Sequence, residues 1–126
     1  EINLAALIHK GVSLDPTTLP AATVLRMATL GGAEAIGLDA HIGAITVGRK
    51  ADLIQVRLKG PHLIPLYDVI SHLVYAARAD DVTMVVVDGE VLMRDGQVRT
   101  LDFGTIRADA RRIASKIAAA LRPPDE

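Results

Sequence analysis

Apolar side chains follow a helical spacing through the first part of the chain. The first apolar face predicts a short helix that ends at Lys10 and Gly11, where glycine can adopt the left-handed conformation that closes a helix. Pro20 suits the first turn of a second helix. The Gly31–Gly32 pair is predicted to break that helix and to leave one further turn at 33–36. The apolar residues on the two faces are Ile2, Leu4, Ala5, Leu7, Ile8, Ala21, Val24, Leu25 and Ala28.

Strand-like spacing replaces the helical pattern in the middle of the chain. Ile45 and Val47 precede a Gly-Arg-Lys turn, and aliphatic residues with strand-like spacing continue over 53–58. Asp88–Gly89 stands between two further aliphatic runs and predicts a β-hairpin, because both residues adopt positive φ at small cost. Asp95–Gly96 predicts a second turn after the return strand.

Two more helices are predicted towards the end of the chain. Residues 69–77 have the apolar spacing of a short packed helix. The last segment combines an apolar stripe with basic residues away from it, and Pro123 and Pro124 are predicted to stop the helix. The stripe contains Ile106, Ala110, Ile113, Ile117 and Leu121, and the basic residues are Arg107, Arg111, Arg112 and Lys116.

Composition limits the classes of protein that remain. The 126 residues suffice for one domain or parts of two. A net charge of −1 with only one Phe, two Tyr and no Trp argues against nucleic acid as a partner. The absence of cysteine excludes disulfides and thiolate metal sites. No run approaches the roughly 20 apolar residues of a membrane helix, so a soluble, cytoplasmic protein is expected.

The four histidines are the first candidates for chemistry. His9 is placed at a helix end, where an imidazolium would face the negative end of the helix dipole. His62 and His72 have a spacing that matches no metal motif, so ordinary packing or capping is expected for them and for His41. A metal site formed by His62, His72 and Asp52 is kept as an alternative hypothesis.

Other polar residues suggest structural roles more than catalytic ones. Asp52 at the mouth of a buried strand is interpreted as a carboxylate that staples a turn, with a general base as the alternative. The basic face of the last helix is interpreted as solvated, with an acidic partner as the alternative. Gly31–Gly32 lacks the spacing and the lysine of a phosphate loop. Tyr67 and Tyr75 complete the candidates, and no catalytic, cofactor-binding or metal-ligating residue is assigned to this chain.

Four segments follow one another along the chain: EINLAALIHKG, VLRMATLGGAEAIGL, IGAITVGRKADLIQVRL and PLYDVISHLVYAARADDVTMVVVDGEVLMRDGQV. Their order resembles the carboxyl-terminal part of a metal-dependent amidohydrolase. The branch it is similar to contains methylthioadenosine and S-adenosylhomocysteine deaminases, guanine deaminase and s-triazine chlorohydrolases. No single motif carries the resemblance, which extends from Glu1 to about Val98 and more loosely through the last helix.

The resemblance implies an α/β fold built from pieces of two units. Residues 1–40 would be late helices of a (β/α)₈ TIM-type barrel. Residues 41–100 would form the carboxyl-terminal half of a composite β-sandwich, with a barrel-type helix inserted near 69–77. Residues 101–126 would add a terminal amphipathic helix.

The resemblance also implies what the parent protein does. A divalent metal, zinc or iron, would activate water to attack a purine, pyrimidine or triazine-like ring and release ammonia or chloride. The family's metal ligands belong to segments before Glu1, so this chain would be an inactive scaffold fragment. Its expected partners are the upstream part of the same polypeptide, a heterocyclic substrate and a second copy in a homo-oligomer. A free-standing α+β interaction module without catalytic activity is the alternative.

Overall fold

A computed structural model describes residues 1–121 and shows a helical part, a four-stranded antiparallel sheet and a long terminal helix. The helices are α1 (Ile2–Ser13), α2 (Ala21–Arg26), α3 (Gly32–Ala35), α4 (Val69–Tyr75) and α5 (Phe103–Ala120). The strands are β1 (Leu53–Val56), β2 (Val82–Val87), β3 (Glu90–Arg94) and β4 (Gln97–Val98). Single helical turns of other types occupy Met27–Gly31, Pro61–Leu63 and Ala79–Asp81. Pro123 and Pro124, predicted to stop the last helix, lie outside the described residues.

Helix α1 continues past the end predicted for it at Lys10 and Gly11. The left-handed position that closes the helix is Leu14, with φ of 53°. The Ser13 hydroxyl donates to the His9 carbonyl at 2.8 Å. The Lys10 ammonium donates to the carbonyls of the following loop, including that of Leu19 at 3.1 Å. The helix thus ends at a left-handed leucine and not at a glycine, and the predicted boundary was wrong.

The Gly31–Gly32 pair does not break the second helix, contrary to the prediction. Both glycines have the right-handed helical conformation, with φ of −63°. A π turn over Met27–Gly31 joins α2 directly to α3. Glycine costs a helix about 1 kcal/mol relative to alanine, and burial of Val24 and Ala33 on either side offsets this cost. Gly37, with φ of 70°, ends the segment as expected.

The helical core is formed where α1, α2 and α4 meet. Ala6, Val24 and Val74 are each at most 1% exposed and pack together. The small side chain of Ala6 allows the neighbouring helices to approach α1 closely. The residues packed around this cluster are Ile2, Leu19, Ala21 and Leu25. The predicted helix at 69–77 is confirmed as α4, and it supplies one wall of this core.

The sheet has the strand order β1-β2-β3-β4, and all its pairs are antiparallel. The predicted hairpin is confirmed: Asp88 and Gly89 have φ of 50° and 83°, as a two-residue turn between twisted strands requires. Asp95 and Gly96 repeat this geometry, with φ of 51° and 75°, and lead into β4. Val86 in β2 is the most deeply buried residue of the strands.

The strand-like interpretation of Ile45 and Val47 is not supported. Their side chains are 91% and 104% exposed, and none of the four strands of residues 1–121 includes them. A strand forms only where a neighbour completes its hydrogen-bonded ladder. Here the loop closes on itself instead, since the Lys50 amide donates to the His41 carbonyl at 2.8 Å.

The terminal helix α5 agrees with the predicted amphipathic helix. The Asp102 carboxylate caps it by accepting from the amides of Gly104 at 2.9 Å and Thr105 at 3.1 Å. No side chain of α5 is buried. Among the residues that the structure describes, no helix is both long and apolar enough to cross a membrane.

Candidate functional site at the junction of helices and sheet

The most deeply buried charged group is Asp81, which is 4% exposed. Its Oδ2 lies 2.8 Å from His62 Nε2 and accepts the Arg78 amide at 2.8 Å. The His62 side chain is 25% exposed, so the pair lies at the edge of the interior. This pair connects the loop after β1 to the start of β2, where the sheet meets the helical part.

Local sequence explains why the imidazole reaches Asp81. A side chain at Gly60 would place its Cβ 2.5 Å from His62 Cε1, so only glycine leaves room for the ring beside the main chain. Leu63, at the end of the same turn, is fully buried and anchors it. The main-chain carbonyl of Asp81 accepts the Arg57 amide at 2.8 Å. The end of β1 is therefore held to the same carboxylate-bearing residue.

The surroundings of Asp81 favour its charged form. The hydrogen bond from His62 is the largest cause lowering the pKa of the carboxyl, followed by that from the Arg78 amide. Burial acts in the opposite direction, and the positive charge of Arg57 adds to the lowering. A carboxylate that orients an imidazole also occurs beside catalytic nucleophiles. Here the other partners of Asp81 are main-chain groups, which makes the pair a structural clamp.

His72 belongs to a different contact. Its Nδ1 lies 2.8 Å from the Asp68 carbonyl and its Nε2 lies 3.1 Å from the Pro65 carbonyl. The Asp68 carboxylate caps α4 by accepting the Ser71 amide at 2.6 Å, and hydrogen bonds from Ser71 lower the pKa of this carboxyl. His72 thus ties the start of α4 to the preceding loop, in line with the packing or capping role expected from the sequence.

Asp52 has the stapling role that the sequence predicted. Its Oδ1 accepts the Asp88 amide at 2.5 Å, across 36 residues of chain. The Gly89 amide donates to the Ala51 carbonyl at 3.2 Å, and Lys50 Nζ lies 3.2 Å from Asp88 Oδ2. The prediction did not name the partner. The structure shows that the staple joins the start of β1 to the β2–β3 turn.

The hypothetical metal site is not assembled. His62, His72 and Asp52 each bind a different partner, and residues 1–121 contain no group of three or more His, Cys, Asp or Glu placed to hold a metal ion.

The remaining candidates lie apart from one another. His9 is exposed and precedes the last turn of the extended α1, so the expected contact with the helix dipole at the carboxyl end was wrong. His41 lies in a turn, as expected. Tyr67 and Tyr75 are 88% and 39% exposed. Gly31–Gly32 lies inside a helical segment, which excludes the loop geometry of a phosphate site.

Sequence reasoning missed Asp81, which was not among the candidate residues. Its partner His62 is 19 residues away, and that separation corresponds to no local periodicity. The nearest local indication is the Arg78-Ala-Asp-Asp segment, in which the Asp81 side chain caps the short turn by accepting the Arg78 amide. Such a cap predicts a bonded carboxylate but does not identify a histidine as its second partner.

Residues 1–92 match the Amidohydrolase family, so the chain belongs to this family. A 5-methylthioadenosine/S-adenosylhomocysteine deaminase from Syntrophobacter fumaroxidans is 49% identical over 117 residues. That match covers 93% of this chain and 27% of the relative. The chain thus spans about a quarter of the length of the curated relatives it matches.

Solved structures agree with this assignment. An adenosine deaminase from Xanthomonas campestris with bound zinc has a TM-score of 0.87 and 40% identity, covering 94% of this chain and 27% of its own. A zinc complex of atrazine chlorohydrolase from Arthrobacter aurescens has a TM-score of 0.75 and 33% identity, covering 88% of this chain and 25% of its own. The resemblance to the branch of methylthioadenosine and S-adenosylhomocysteine deaminases and s-triazine chlorohydrolases is thereby confirmed.

Proposed function

We propose that this chain is the carboxyl-terminal, structural portion of a metal-dependent amidohydrolase that deaminates the adenine ring of a 5′-substituted adenosine. The observation that carries the proposal is the 49% identity, over nearly the whole chain, to a methylthioadenosine/S-adenosylhomocysteine deaminase. Identity to the triazine hydrolase is lower, at 33%. Hydrolytic deamination replaces the exocyclic amino group by oxygen from water and releases ammonia.

In this proposal α1 to α4 are late helices of a (β/α)₈ barrel, and the four-stranded sheet is half of a composite β-sandwich. The small, well-packed cluster of Ala6, Val24 and Val74 supports a helical layer of this kind. The His62–Asp81 clamp joins the loop after β1 to the start of β2, and the Asp52 staple joins the start of β1 to the β2–β3 turn. The chain's own residues therefore support the site rather than react in it.

The metal would be bound elsewhere in the longer protein. The zinc in the two structural neighbours supports a divalent ion in the parent enzyme. Residues 1–121 lack a fitting donor set, so the ligands are proposed to come from polypeptide that precedes the matched quarter. Bound zinc would supply an activated water for hydrolysis.

The test compares two polypeptides in one assay. The protein expressed from its own start codon and the 126-residue chain are each incubated with zinc and 5′-methylthioadenosine, and ammonia release is measured. We expect deamination by the longer protein and none by the 126-residue chain. Deamination by the 126-residue chain alone would refute the scaffold role, and dechlorination of a triazine without deamination would refute the substrate class.

A free-standing interaction module is the second candidate function. The exposed apolar stripe of α5 favours it, because such a stripe is also suited to a separate partner. This candidate requires the 126-residue chain to unfold cooperatively as a monomer or closed dimer. Thermal unfolding followed by circular dichroism decides this point, since a broad, uncooperative transition is incompatible with an independent module.

A further inference from the structure

The half-buried imidazole of His72 lies between two main-chain carbonyl oxygens. Its Nδ1 is 2.8 Å from the Asp68 carbonyl oxygen, and its Nε2 is 3.1 Å from the Pro65 carbonyl oxygen. A carbonyl oxygen only accepts hydrogen bonds, so each ring nitrogen must carry a proton to make its bond. A neutral imidazole carries one such proton and an imidazolium carries two. The complete pair of hydrogen bonds is therefore available only to the charged form of His72.

His62 differs from His72, although it lies on the same stretch of chain. The hydrogen bond that the structure shows for its ring joins Nε2 to the Asp81 carboxylate at 2.8 Å. One ring proton is enough for this bond, so a neutral His62 can keep it. Loss of a proton thus leaves the contact of His62 possible, whereas it removes one of the two contacts of His72.

A negative charge beside His72 favours the imidazolium. Hydrogen bonds from Ser71 are the largest cause of the lowered pKa of the Asp68 carboxyl, and the positive charge of His72 adds to the lowering. Attraction between two charges is mutual, so the Asp68 carboxylate stabilises a positive ring at His72 in turn.

The helices packed against α4 lie on its other side. Val74 faces α1 and α2, where it is buried with Ala6 and Val24. Since successive residues of a helix are about 100° apart, His72 lies on the opposite face from Val74. The titratable side chains of the elements around α4 are His9, Lys10 and Arg26 on α1 and α2, His62 and Tyr67 before α4, and Tyr75 on α4 itself. Lys10 bonds the Leu19 carbonyl and Arg26 pairs with Glu34, so both cations are engaged away from His72.

The segment that His72 holds is the loop 64–68. It connects the turn Pro61–Leu63, which the fully buried Leu63 anchors, to the start of α4. Ile64 and Tyr67 in this loop are 68% and 88% exposed. A segment with so few buried apolar contacts opens easily, so a single hydrogen bond to its main chain has a large effect on its mobility.

We propose that His72 is a proton-dependent latch on the loop 64–68. The imidazolium holds Pro65 against α4 through the bond from Nε2 to the Pro65 carbonyl. When Nε2 loses its proton to solvent, this bond breaks, because the ring keeps its shorter contact from Nδ1 to the Asp68 carbonyl. The loop is held at acid pH and is released as pH rises through the range in which histidine changes its charge. Helix α4 itself stays in place, since the Asp68 carboxylate still accepts the Ser71 amide.

Nuclear magnetic resonance of the longer hydrolase, labelled with ¹⁵N in histidine and tyrosine, provides the test. This inference rests on the proposed function only in using that longer protein. Spectra are compared at about pH 5.5 and about pH 8, on either side of the range in which histidine titrates. We expect His72 to carry both ring protons at the lower pH and only the Nδ1 proton at the higher pH. The order parameter of the Tyr67 amide should fall by roughly 0.2 over the same interval, from the rigid towards the flexible range.

Matched histidine variants identify the group that titrates. His72→Gln supplies an amide donor whose protons do not titrate in this range, so the mobility of Tyr67 should become independent of pH. His9→Gln removes an exposed histidine of α1 and should leave the pH response unchanged. A response that persists in His72→Gln would overturn the latch. If that variant does not fold, the unaltered protein still decides, because an Nε2-protonated ring at the higher pH or an unchanged order parameter of Tyr67 would also overturn it.

Asp68→Asn tests the charge beside the ring. The asparagine oxygen can still cap α4, but the attraction for the imidazolium is lost. The loop should therefore be released at lower pH in this variant, and release at an unchanged pH would count against the latch. Deaminase activity is scored separately: an active enzyme whose loop ignores pH refutes the latch alone, and an inactive protein whose loop responds to pH refutes the proposed function alone.

Discussion

Gly43 illustrates how one missing side chain fixes the path of this chain. A Cβ at Gly43 would lie 2.8 Å from Ala33 Cβ and 2.9 Å from Leu30 Cα. Its φ of 87° is also one that other residues rarely adopt. Both the close approach and the backbone conformation therefore require glycine where the loop crosses the helical segment.

Gly43→Ala is expected to lower the free energy of unfolding by about 3 kcal/mol, the sum of left-handed backbone strain and overpacking. Gly48→Ala is the matched control, because Gly48 has φ of 90° but open space around its Cβ position. Gly48→Ala should lower the free energy of unfolding only by the backbone strain, about 1–2 kcal/mol. Urea denaturation of both variants measures the difference, and equal losses would rule out the packing contribution.

The Asp81 clamp makes a second residue-scale prediction, concerning pH. The pKa of Asp81 is lowered from its ordinary value of 3.8 in the folded protein. The Asp81 carboxylate therefore contributes fully to the free energy of unfolding above that value. This contribution disappears as pH falls through the lower pKa of the folded protein. The thermal midpoint of the native protein should exceed that of Asp81→Asn above pH 3.8, and the difference should narrow as pH falls below that value.

Two variants sharpen this measurement. His62→Ala removes the largest cause of the lowered pKa, so the carboxyl of Asp81 should titrate at higher pH in this variant. Asp80→Asn alters the exposed neighbouring carboxyl and serves as the control for a change of charge. A pH profile of Asp80→Asn that equals that of Asp81→Asn would show that the clamp is not responsible.

At the scale of elements, short-range sequence patterns predicted the β2–β3 hairpin correctly. They did not predict which residue attaches its turn to the start of β1. The Asp88–Gly89 turn follows from two adjacent residues that accept positive φ. Asp52 was correctly expected to bind main-chain amides. Its partner, the Asp88 amide, could not be found from sequence because it is 36 residues away and depends on the pairing of β1 with β2.

Asp52→Ala should weaken the attachment of the turn by about 1 kcal/mol, the net contribution of one hydrogen bond of this kind. Asp52→Asn retains an acceptor oxygen and should weaken the attachment of the turn less than Asp52→Ala does. Exchange of the Asp88 amide, followed by nuclear magnetic resonance, is the direct measurement. Fast exchange in Asp52→Ala with slow exchange in Asp52→Asn is expected, and unchanged protection in both would show that the staple is dispensable.

The predicted helix boundaries were wrong for a related reason. The prediction ended α1 at Gly11 and broke the second helix at Gly31–Gly32, because glycine is the usual residue at helix ends. In the structure, the Ser13 hydroxyl donates to the His9 carbonyl of α1, the Lys10 ammonium donates to the Leu19 carbonyl of the following loop, and buried Val24 and Ala33 hold the second helical segment together. Tertiary contacts thus overrode a local preference of about 1 kcal/mol.

At the scale of the whole molecule, much apolar surface lies in contact with solvent. Helix α1 exposes Leu4, Leu7 and Ile8 at 54%, 52% and 51%, on sides of the helix other than the one that buries Ala6. A helix that is apolar on all sides is normally buried in a larger protein. This surface, together with the exposed Ile45 and Val47, is consistent with a chain that spans a quarter of its relatives.

The 126-residue chain is therefore expected to associate at high concentration and to bind a hydrophobic dye such as anilinonaphthalene sulfonate. The longer hydrolase of the proposed function should bind much less dye per molecule. Sedimentation velocity over a range of concentrations, with dye fluorescence on the same samples, makes the comparison. A monomeric chain that binds no dye would contradict this view of its surface and favour the independent module.

The sequence by itself determined the order and type of most elements, the two Asp-Gly turns, the amphipathic α5 and the family, because all of these depend on residues close together in the chain or on their order. The tertiary structure decided the continuity of the second helix, the missing strand at Ile45 and Val47, and the pairing of His62 with Asp81. These features depend on which distant groups come within bonding distance, and residue spacing alone does not contain that information.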